Sequence, residues 1–276
     1  MAELHEPRVN PDGSYNTFTI KKEGAIDVVT LNRPEALNAL SREMMLELQH
    51  YFGKLYTDYT VRVVVLTGAG RGFCSGLDLK EDRSDEPGGV VGGMQTQRRV
   101  SEIMLRMRRA PQPIISLING PASGGGFGLA LASDIRIATP SMRMNAAFIR
   151  IGLSACDVGV SYFLPRLVGS SLASELLLTG NFIEADRALR SGLVSSVVEA
   201  DQLMDKGLQM AKDILRNSPI GVRLTKDCLN MSIDAPSLDA VIAMEDRQQI
   251  LISATGDMRE GVSAFLEKRE AHYQDD

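Results

Sequence analysis

The chain has 276 residues, of which 44% are hydrophobic and 24% charged, and its formal net charge is −5. This composition predicts a soluble globular protein, one large domain or a domain with an appendage, without the strongly basic surface typical of nucleic-acid binding. No apolar run is long enough to span a membrane, and the polar first residues predict no secretion signal. Three scattered cysteines without metal-ligand spacing indicate reduced thiols and a cytoplasmic location.

The first half of the chain alternates predicted strands with predicted helices. After a polar lead-in, strands are predicted over residues 18–21, 26–31, 61–66, 113–118 and 134–138. Helices are predicted over residues 41–55, with Ser41 as N-cap, through 104–107, and over 124–132. The acidic and then glycine-rich segment 81–93 is typical of a mobile loop. This alternation predicts an α/β core with parallel strand pairing.

The last third of the chain is predicted to be helical. Helices are expected over residues 202–215, 220–231, 237–253 and 257–269. We therefore divide the chain into a lead-in (1–16), a core that carries the site (17–199) and a C-terminal helical region (200–276).

Two glycine-rich segments follow predicted strands and are candidates for one site. Residues 70–81 (GRGFCSGLDLKE) can turn backbone N–H groups toward a ligand. Residues 119–128 (NGPASGGGFG) place three glycines at a helix start, where unpaired N–H donors and the positive helix end face outward. Each segment alone is better explained as a tight turn or a close packing contact. Together they match the two donors that an enolate oxygen requires.

The sequence resembles the crotonase (enoyl-CoA hydratase/isomerase) family over nearly its whole length. The matching segments occur in the family's order and are LNRPEALNAL (31–40), VVVLTGAGRGFCSGLDLKE (63–81), NGPASGGGFGLALASDIRIA (119–138), LPRLVGSSLASELLLTG (164–180), ADRALRSGLVSSVV (185–198) and EGVSAFLEKRE (260–270). The resemblance implies a crotonase-like spiral of β-β-α units with a helical C-terminal region used for oligomerisation, as a homotrimer or a hexamer of paired trimers.

The resemblance also implies a site for an acyl-coenzyme A thioester. The oxyanion donors would be the backbone N–H groups of Leu77 and Gly125. The thioester is the substrate, and no cofactor or metal is expected. A neighbouring subunit would supply Phe265 and Lys268, with Lys268 near the nucleotide; a place in the core is the alternative for Phe265. The remaining coenzyme A contacts would come from Arg33, Ala36, Leu37, Ser75, Asp78 and Leu79, beside the two oxyanion residues. For Arg33, a solvated surface position explains the residue equally well.

The sequence departs from the family's hydratases at both catalytic glutamate positions. Gly128 and Phe148 stand where hydratases of the family carry glutamates. Neither residue can transfer a proton, so the usual two-glutamate hydration mechanism is not available. We expect the missing side chain at Gly128 to make room for the Phe148 ring and to leave a drier pocket.

Asp157 is the carboxylate nearest to this segment, close to where dienoyl-CoA isomerases of the family carry a proton-shuttling aspartate. Two roles stay open for it: N-cap of a helix predicted over residues 158–167, and catalytic acid/base. Its neighbour Cys156 is expected to be buried and inert. Glu81 and Glu86 are most simply solvated loop charges, and Arg143 and Arg150 surface ion-pairing residues.

Three functions are consistent with this pattern. The first is an enzyme that acts on an enoyl- or dienoyl-CoA thioester through an enolate. The second is a crotonase-type thioester hydrolase, and the third is a catalytically weak acyl-CoA-binding protein. The acyl-CoA thioester is the only partner expected besides further copies of the chain, with no nucleic acid and no membrane.

Overall fold

The computed structural model describes residues 9–85 and 88–276; Glu86 and the first eight residues of the predicted lead-in lie outside them. In chain order the strands are β1 (Phe18–Glu23), β2 (Ile26–Leu31), β3 (Val63–Gly68), β4 (Ile114–Ile118), β5 (Ala122–Ser123), β6 (Ile135–Ala138), β7 (Arg143–Asn145), β8 (Ile183–Glu184) and β9 (Ser196–Val197). The helices are α1 (Arg42–Lys54), α2 (Gly89–Arg109), α3 (Gly125–Ala132), α4 (Val160–Val168), α5 (Ser170–Thr179), α6 (Ala185–Arg190), α7 (Leu203–Leu215), α8 (Pro219–Ser232), α9 (Leu238–Ser253) and α10 (Gly256–Glu267).

Six strands form the main sheet in the order β1-β2-β3-β4-β6-β9. β1 pairs with β2 in antiparallel fashion, and each following pair is parallel. Three short strands, β5, β7 and β8, form a second sheet. The predicted α/β class with parallel pairing is therefore confirmed.

Both faces of the main sheet are covered, which explains the continuous apolar run of β3. Val64 and Leu66 point into the larger core, whereas Val63 and Val65 point into a second cluster on the other face. Leu203 and Ala211 of α7 complete this second cluster. Because successive side chains of β3 point to opposite faces of the sheet, both sets are buried, as expected for parallel sheets.

Local signals account for where α1 begins. The Ser41 hydroxyl accepts a hydrogen bond from Met44 N–H at 3.2 Å, so the predicted N-cap is confirmed. The prediction of a loop over residues 81–93 is wrong for its last residues, because α2 begins at Gly89. In the described residues, no helix is long and apolar enough to cross a membrane.

Candidate active site

Two asparagines hold the first glycine-rich loop, which follows β3. The Asn38 side-chain amide donates to the carbonyls of Ala69 and Gly72, both at 2.9 Å. From the other side, the Asn119 amide donates to the carbonyl of Gly68 at 2.9 Å. The backbone of the loop is therefore fixed by side chains from two different segments, which pre-organises the groups it presents.

The second glycine-rich loop lies directly against the first. Ser123 N–H donates to the Cys74 carbonyl at 3.0 Å. A Cβ atom at Gly126 would lie 2.0 Å from that carbonyl oxygen, and one at Gly76 would lie 2.7 Å from the Ser123 oxygen. Gly76 also has a φ of 92°. Glycine is needed at both positions because the two backbones approach each other so closely.

Two backbone N–H groups are left unpaired where the loops meet. Leu40 N–H donates to the Gly76 carbonyl at 2.8 Å and Asp78 N–H donates to the Leu40 carbonyl at 3.1 Å, so this bridge does not use the Leu77 N–H. Gly125 is the first residue of α3, where an N–H has no acceptor within the helix. Throughout residues 9–85 and 88–276, neither N–H donates a hydrogen bond.

The two unpaired donors are close to each other. A Cβ built on Gly76, the residue before Leu77, would lie 3.1 Å from the Gly125 nitrogen. The positive end of α3 adds to the attraction for an anion at this point. The arrangement can therefore hold a negatively charged oxygen, and the oxyanion roles of Leu77 and Gly125 stay predictions.

The Phe148 ring covers one side of this site. Phe148 lies in a 3-10 turn, Ala147–Ile151, and its Cε1 would be 3.5 Å from a Cβ on Gly124, the residue before Gly125. Gly124 N–H donates to the Asn145 carbonyl at 3.0 Å, which ties the start of α3 to β7. The ring is half-buried and packs against the main core.

A side chain at Gly128 would first meet Val158 and Met104, so the expectation that Gly128 makes room for Phe148 stays a prediction. A Cβ at Gly128 would lie 2.7 Å from Val158 Cγ2 and 2.9 Å from Met104 Cε. These two side chains, not the Phe148 ring, fill the space next to Gly128. The expected apolar character is nevertheless present, because both of its neighbours are hydrocarbon or thioether groups.

Met104 and Val158 also line a cavity of about 1070 Å³ between α2, α4 and α8. They therefore form a single layer of side chains between this cavity and the first turn of α3. Sequence reasoning missed both residues. Met104 carries no signal beyond an apolar position on a helix, and Val158 none that indicates its backbone conformation.

Asp157 is not a helix cap, so that prediction is wrong. α4 begins at Val160 with Gly159 as N-cap. Val160 N–H donates to the Asp157 carbonyl at 2.8 Å, and Val158 and Gly159 have φ values of 42° and 84°. Positive φ at both central residues is typical of a type I′ turn. The Asp157 side chain is half-buried and does not cap α4.

The side chain of Asp157 has two partners in the structure. Its Oδ1 accepts a hydrogen bond from Val158 N–H at 2.7 Å and another from the side-chain amide of Gln97. Gln97, on α2, was not among the residues that the sequence singled out. Cys156 is exposed, which corrects the expectation of a buried thiol.

Arg33 points to Asp78 within the same chain. Its guanidinium donates to Asp78 Oδ2 at 2.9 Å and to the Ala39 carbonyl at 2.6 Å. Burial acts to raise the pKa of Asp78, but hydrogen bonds from Arg33 and from Lys80 N–H outweigh it, so the pKa lies below its ordinary value. The ion pair fixes the residue that follows Leu77, and a phosphate contact of Arg33 stays a prediction.

The remaining expected coenzyme A contacts fall into two groups. Ser75 N–H donates to the Leu37 carbonyl at 3.0 Å, and Ser75 Oγ donates to the Ala36 carbonyl at 3.3 Å, so these residues lie together beside the first loop. Leu79 is exposed in the same region. Phe265 and Lys268, at the end of α10, are also exposed.

Three weaker candidates have structural partners. The Glu81 carboxylate accepts a hydrogen bond from Arg42 N–H at 3.0 Å, so it caps the start of α1 instead of being solvated on a free loop. The Arg143 guanidinium lies 4.7 Å from the centre of the Phe182 ring. Arg150 donates to the Asn181 side chain at 2.6 Å.

The chain is similar to known proteins over most of its length. Residues 21–276 match the enoyl-CoA hydratase/isomerase family. The chain is 41% identical over 259 residues to a Mycobacterium bovis protein named "Probable enoyl-CoA hydratase echA12", covering 90% of this chain and 89% of that one. It is 38% identical over 253 residues to the Escherichia coli 1,2-epoxyphenylacetyl-CoA isomerase, covering 91% and 95%. The crystal structure of an enoyl-CoA hydratase from Bacillus anthracis superposes with a TM-score of 0.90 at 33% identity, covering 95% and 100%.

The family match and these relatives show an enzyme of the hydratase/isomerase type. The chain belongs to the enoyl-CoA hydratase/isomerase family, which confirms the resemblance seen in the sequence.

Proposed function

We propose that this enzyme binds an enoyl- or dienoyl-CoA thioester and moves a carbon–carbon double bond through an enolate intermediate. The observation that carries the proposal is the pair of unpaired N–H groups, Leu77 and Gly125, at the contact of the two glycine-rich loops. The thioester carbonyl oxygen would accept hydrogen bonds from both. These bonds strengthen as negative charge develops on the oxygen, which lowers the barrier to enolate formation.

Asp157 is the proposed acid/base. In a 3-enoyl thioester its carboxylate would take the proton from C2, and the electron pair would move into the carbonyl to give a dienolate. The same carboxyl would then return the proton to C4, giving the 2-enoyl thioester. One group that accepts and returns one proton is sufficient for this reaction, and no water is consumed.

The surroundings of Gly128 favour isomerisation over hydration. Hydration needs a group that activates water, and Val158 and Met104 fill the space that a side chain at Gly128 would enter. The Phe148 ring covers Gly124 on the other side of the helix start. An apolar environment excludes the water that would otherwise compete for the enolate.

One relative's name supports the same choice. The Escherichia coli relative is named an isomerase of an acyl-CoA, and this chain covers 95% of its length. Other relatives, among them a short-chain-enoyl-CoA hydratase of Clostridium acetobutylicum at 34% identity, are named hydratases. The names therefore include both isomerisation and hydration. We choose isomerisation because of the apolar side chains beside Gly128.

The test is a panel of 2-enoyl-, 3-enoyl-, dienoyl- and 3-hydroxyacyl-CoA thioesters, with products separated by liquid chromatography and then identified by mass spectrometry and by the ultraviolet absorbance of the conjugated thioester. We expect interconversion of double-bond isomers of equal mass. Asp157→Asn should lower kcat by about 10²- to 10⁴-fold, because it removes the proton-transferring group and keeps the shape. Asp201→Asn, at an exposed position, is the matched control and should leave kcat unchanged.

Other products would contradict the proposal in distinct ways. A mass gain of one water shows hydration, and release of free coenzyme A shows thioester hydrolysis. Tight binding of all thioesters without turnover shows a binding protein. Full activity of Asp157→Asn removes Asp157 from the mechanism.

We further propose that the enzyme is a homotrimer, or a hexamer of two trimers, in which a neighbour's α10 completes the coenzyme A site. The support is the exposed apolar surface of the C-terminal helices. Large apolar side chains point outward at Leu229, Leu238, Ile250, Leu251, Phe265 and Leu266. Such surface is uncommon on a monomer and is typical of an interface. Lys268 follows this surface and would meet the nucleotide phosphates.

A cytoplasmic location stays a prediction from the sequence. Cell fractionation with an antibody against the chain would test it.

A further inference from the structure

The two carboxylate oxygens of Asp157 have different surroundings. Oδ1 accepts hydrogen bonds from both Val158 N–H and the Gln97 side-chain amide. Oδ2 has no hydrogen-bond partner among the residues that the structure describes. One oxygen is therefore fixed by the protein, and the other is free to take up a proton.

Gln97 is held on the same face of α2 as Met104. The two residues are seven positions apart, which is two helical turns, so their side chains point in the same direction. Met104 contacts the space beside Gly128 on α3. The face of α2 that packs beside Gly128 thus continues to Gln97, which is itself exposed and meets Asp157 two turns earlier on the helix.

The backbone around Asp157 also fixes its position relative to α3. Val158 is buried and has a φ of 42°, a conformation that β-branched residues rarely adopt. Its side chain packs beside Gly128, one helical turn after the proposed donor Gly125. A strained residue next to a carboxylate is maintained only where the surrounding packing imposes it. The turn therefore ties the Asp157 carboxylate to the helix that begins the oxyanion site.

We infer that Gln97 is a positioning residue for the reaction: its amide holds Oδ1 of Asp157 so that Oδ2 faces the substrate carbons. This inference rests on the proposed function, since it assumes that Asp157 transfers the proton. Gln97 itself touches no substrate atom in this role. Its contribution is orientation, because a side chain with one anchored oxygen loses less freedom in the transition state.

The substitution Gln97→Met tests the donor, because methionine is similar in length and cannot donate a hydrogen bond. We expect kcat to fall by about 10- to 100-fold, as for a small misplacement of a catalytic group, while KM changes by less than about threefold. Gln97→Lys keeps an N–H donor at nearly the same reach and should recover most of the lost kcat. Gln97→Glu places a second negative charge beside Asp157 and should be at least as damaging as methionine.

The matched control is Gln95→Met on the same helix. Residues two apart on a helix do not share a face, so this variant makes the same chemical change away from Asp157. It should keep wild-type kcat and KM. Thermal unfolding of each variant separates loss of structure from loss of orientation.

A double-mutant cycle separates the failure of this inference from the failure of the proposed function. In the Asp157→Asn background, Gln97→Met should cost little further activity, because the group it orients is gone. If Asp157→Asn is fully active, the proposed function itself fails. If Asp157→Asn is inactive but Gln97→Met keeps wild-type kcat, or if the two losses simply multiply, Gln97 is a surface contact only and the inference is overturned.

Discussion

At the scale of single residues, the neighbours of Gly128 disfavour any side chain at this position. A Cβ at this position would lie 2.7 Å from Val158 Cγ2 and 2.9 Å from Met104 Cε, which is too close for an ordinary contact. Val158 is held there by its own unusual backbone, so it cannot move aside easily. A carboxylate at position 128 would therefore require the Val158 side chain to shift, whereas the flexible end of Met104 can turn aside at lower cost.

The substitution Gly128→Ala is expected to destabilise the fold by about 1–3 kcal/mol, the usual cost of overpacking a core. Gly93→Ala is the control, since it lies in α2 with open space around it and alanine favours a helix there. That control should be neutral or stabilising. Urea unfolding measures both, and adding Met104→Ala to Gly128→Ala should recover part of the loss. If Gly128→Ala and Gly93→Ala change the free energy of unfolding by the same amount, the side chains beside Gly128 are free to move aside.

At the scale of elements, the sequence predicts well wherever local signals decide. The sequence predicts the bounds of β2 to the residue, because β-branched residues favour a strand and the nearby Gly24 and Asn32 favour turns. α1 begins where its serine cap indicates. The start of α2 could not be predicted, since glycines disfavour a helix by about 1 kcal/mol each and only packing of the later residues on the core overcomes this.

For the candidate site too, some features can be predicted from local sequence signals and others cannot. Its glycine-rich loops are visible in the sequence because close backbone approach demands glycine. The roles of Met104 and Gln97 are not visible, because they depend on how α2 packs against α3 and against the turn at Asp157. The start of α4 was misplaced because aspartate is a favoured cap, whereas here a turn with two positive φ values comes first.

The start of α3 allows a direct test of a backbone donor. Gly125→Pro removes the N–H group, and proline is tolerated at the first position of a helix, where this N–H has no partner. Gly125→Ala keeps the N–H and adds a similar contact with the Leu40 side chain, since a Cβ there would lie 2.8 Å from Leu40 Cδ1.

We expect kcat for Gly125→Pro to lie about 10²- to 10³-fold below that of Gly125→Ala, as for removal of one oxyanion donor. Steady-state kinetics with the best thioester of the panel, together with thermal unfolding of both variants, measures this difference. Equal activity of the two variants would mean that the Gly125 N–H does not bind the oxyanion.

At the scale of the whole molecule, apolar residues are buried in the core strands but exposed on the C-terminal helices. The core strands bury nearly all of theirs, whereas α9 has no buried residue and α10 ends in two exposed apolar side chains. Phe265 is 82% exposed, and Leu266 is next to it. Burial of this surface by a second copy would supply stabilisation that one chain lacks. Assembly and ligand binding would then be coupled, because Lys268 follows the same surface.

The double substitution Phe265→Asp and Leu266→Asp is expected to reduce the mass in solution from three or six chains to one. Desolvating two charges at an interface costs more than the lost contacts. Light scattering after gel filtration measures the mass, and Leu178→Asp, an equally exposed position on α5, is the control. A double variant that keeps the wild-type mass would place the interface elsewhere.

Lys268→Ala tests the ligand side of the same surface. With the assembly intact, loss of one charged contact to a phosphate should raise KM for a coenzyme A thioester by about tenfold, with kcat nearly unchanged. A pantetheine thioester has the same reacting carbons but no nucleotide, so its KM should be the same for the variant and the wild type. An equal increase for both substrates would show that Lys268 acts on the reacting end or on the fold, whereas no increase for either would remove it from the site. An increase seen only with the coenzyme A thioester links α10 to the ligand, because the two substrates differ only in the nucleotide and its phosphates.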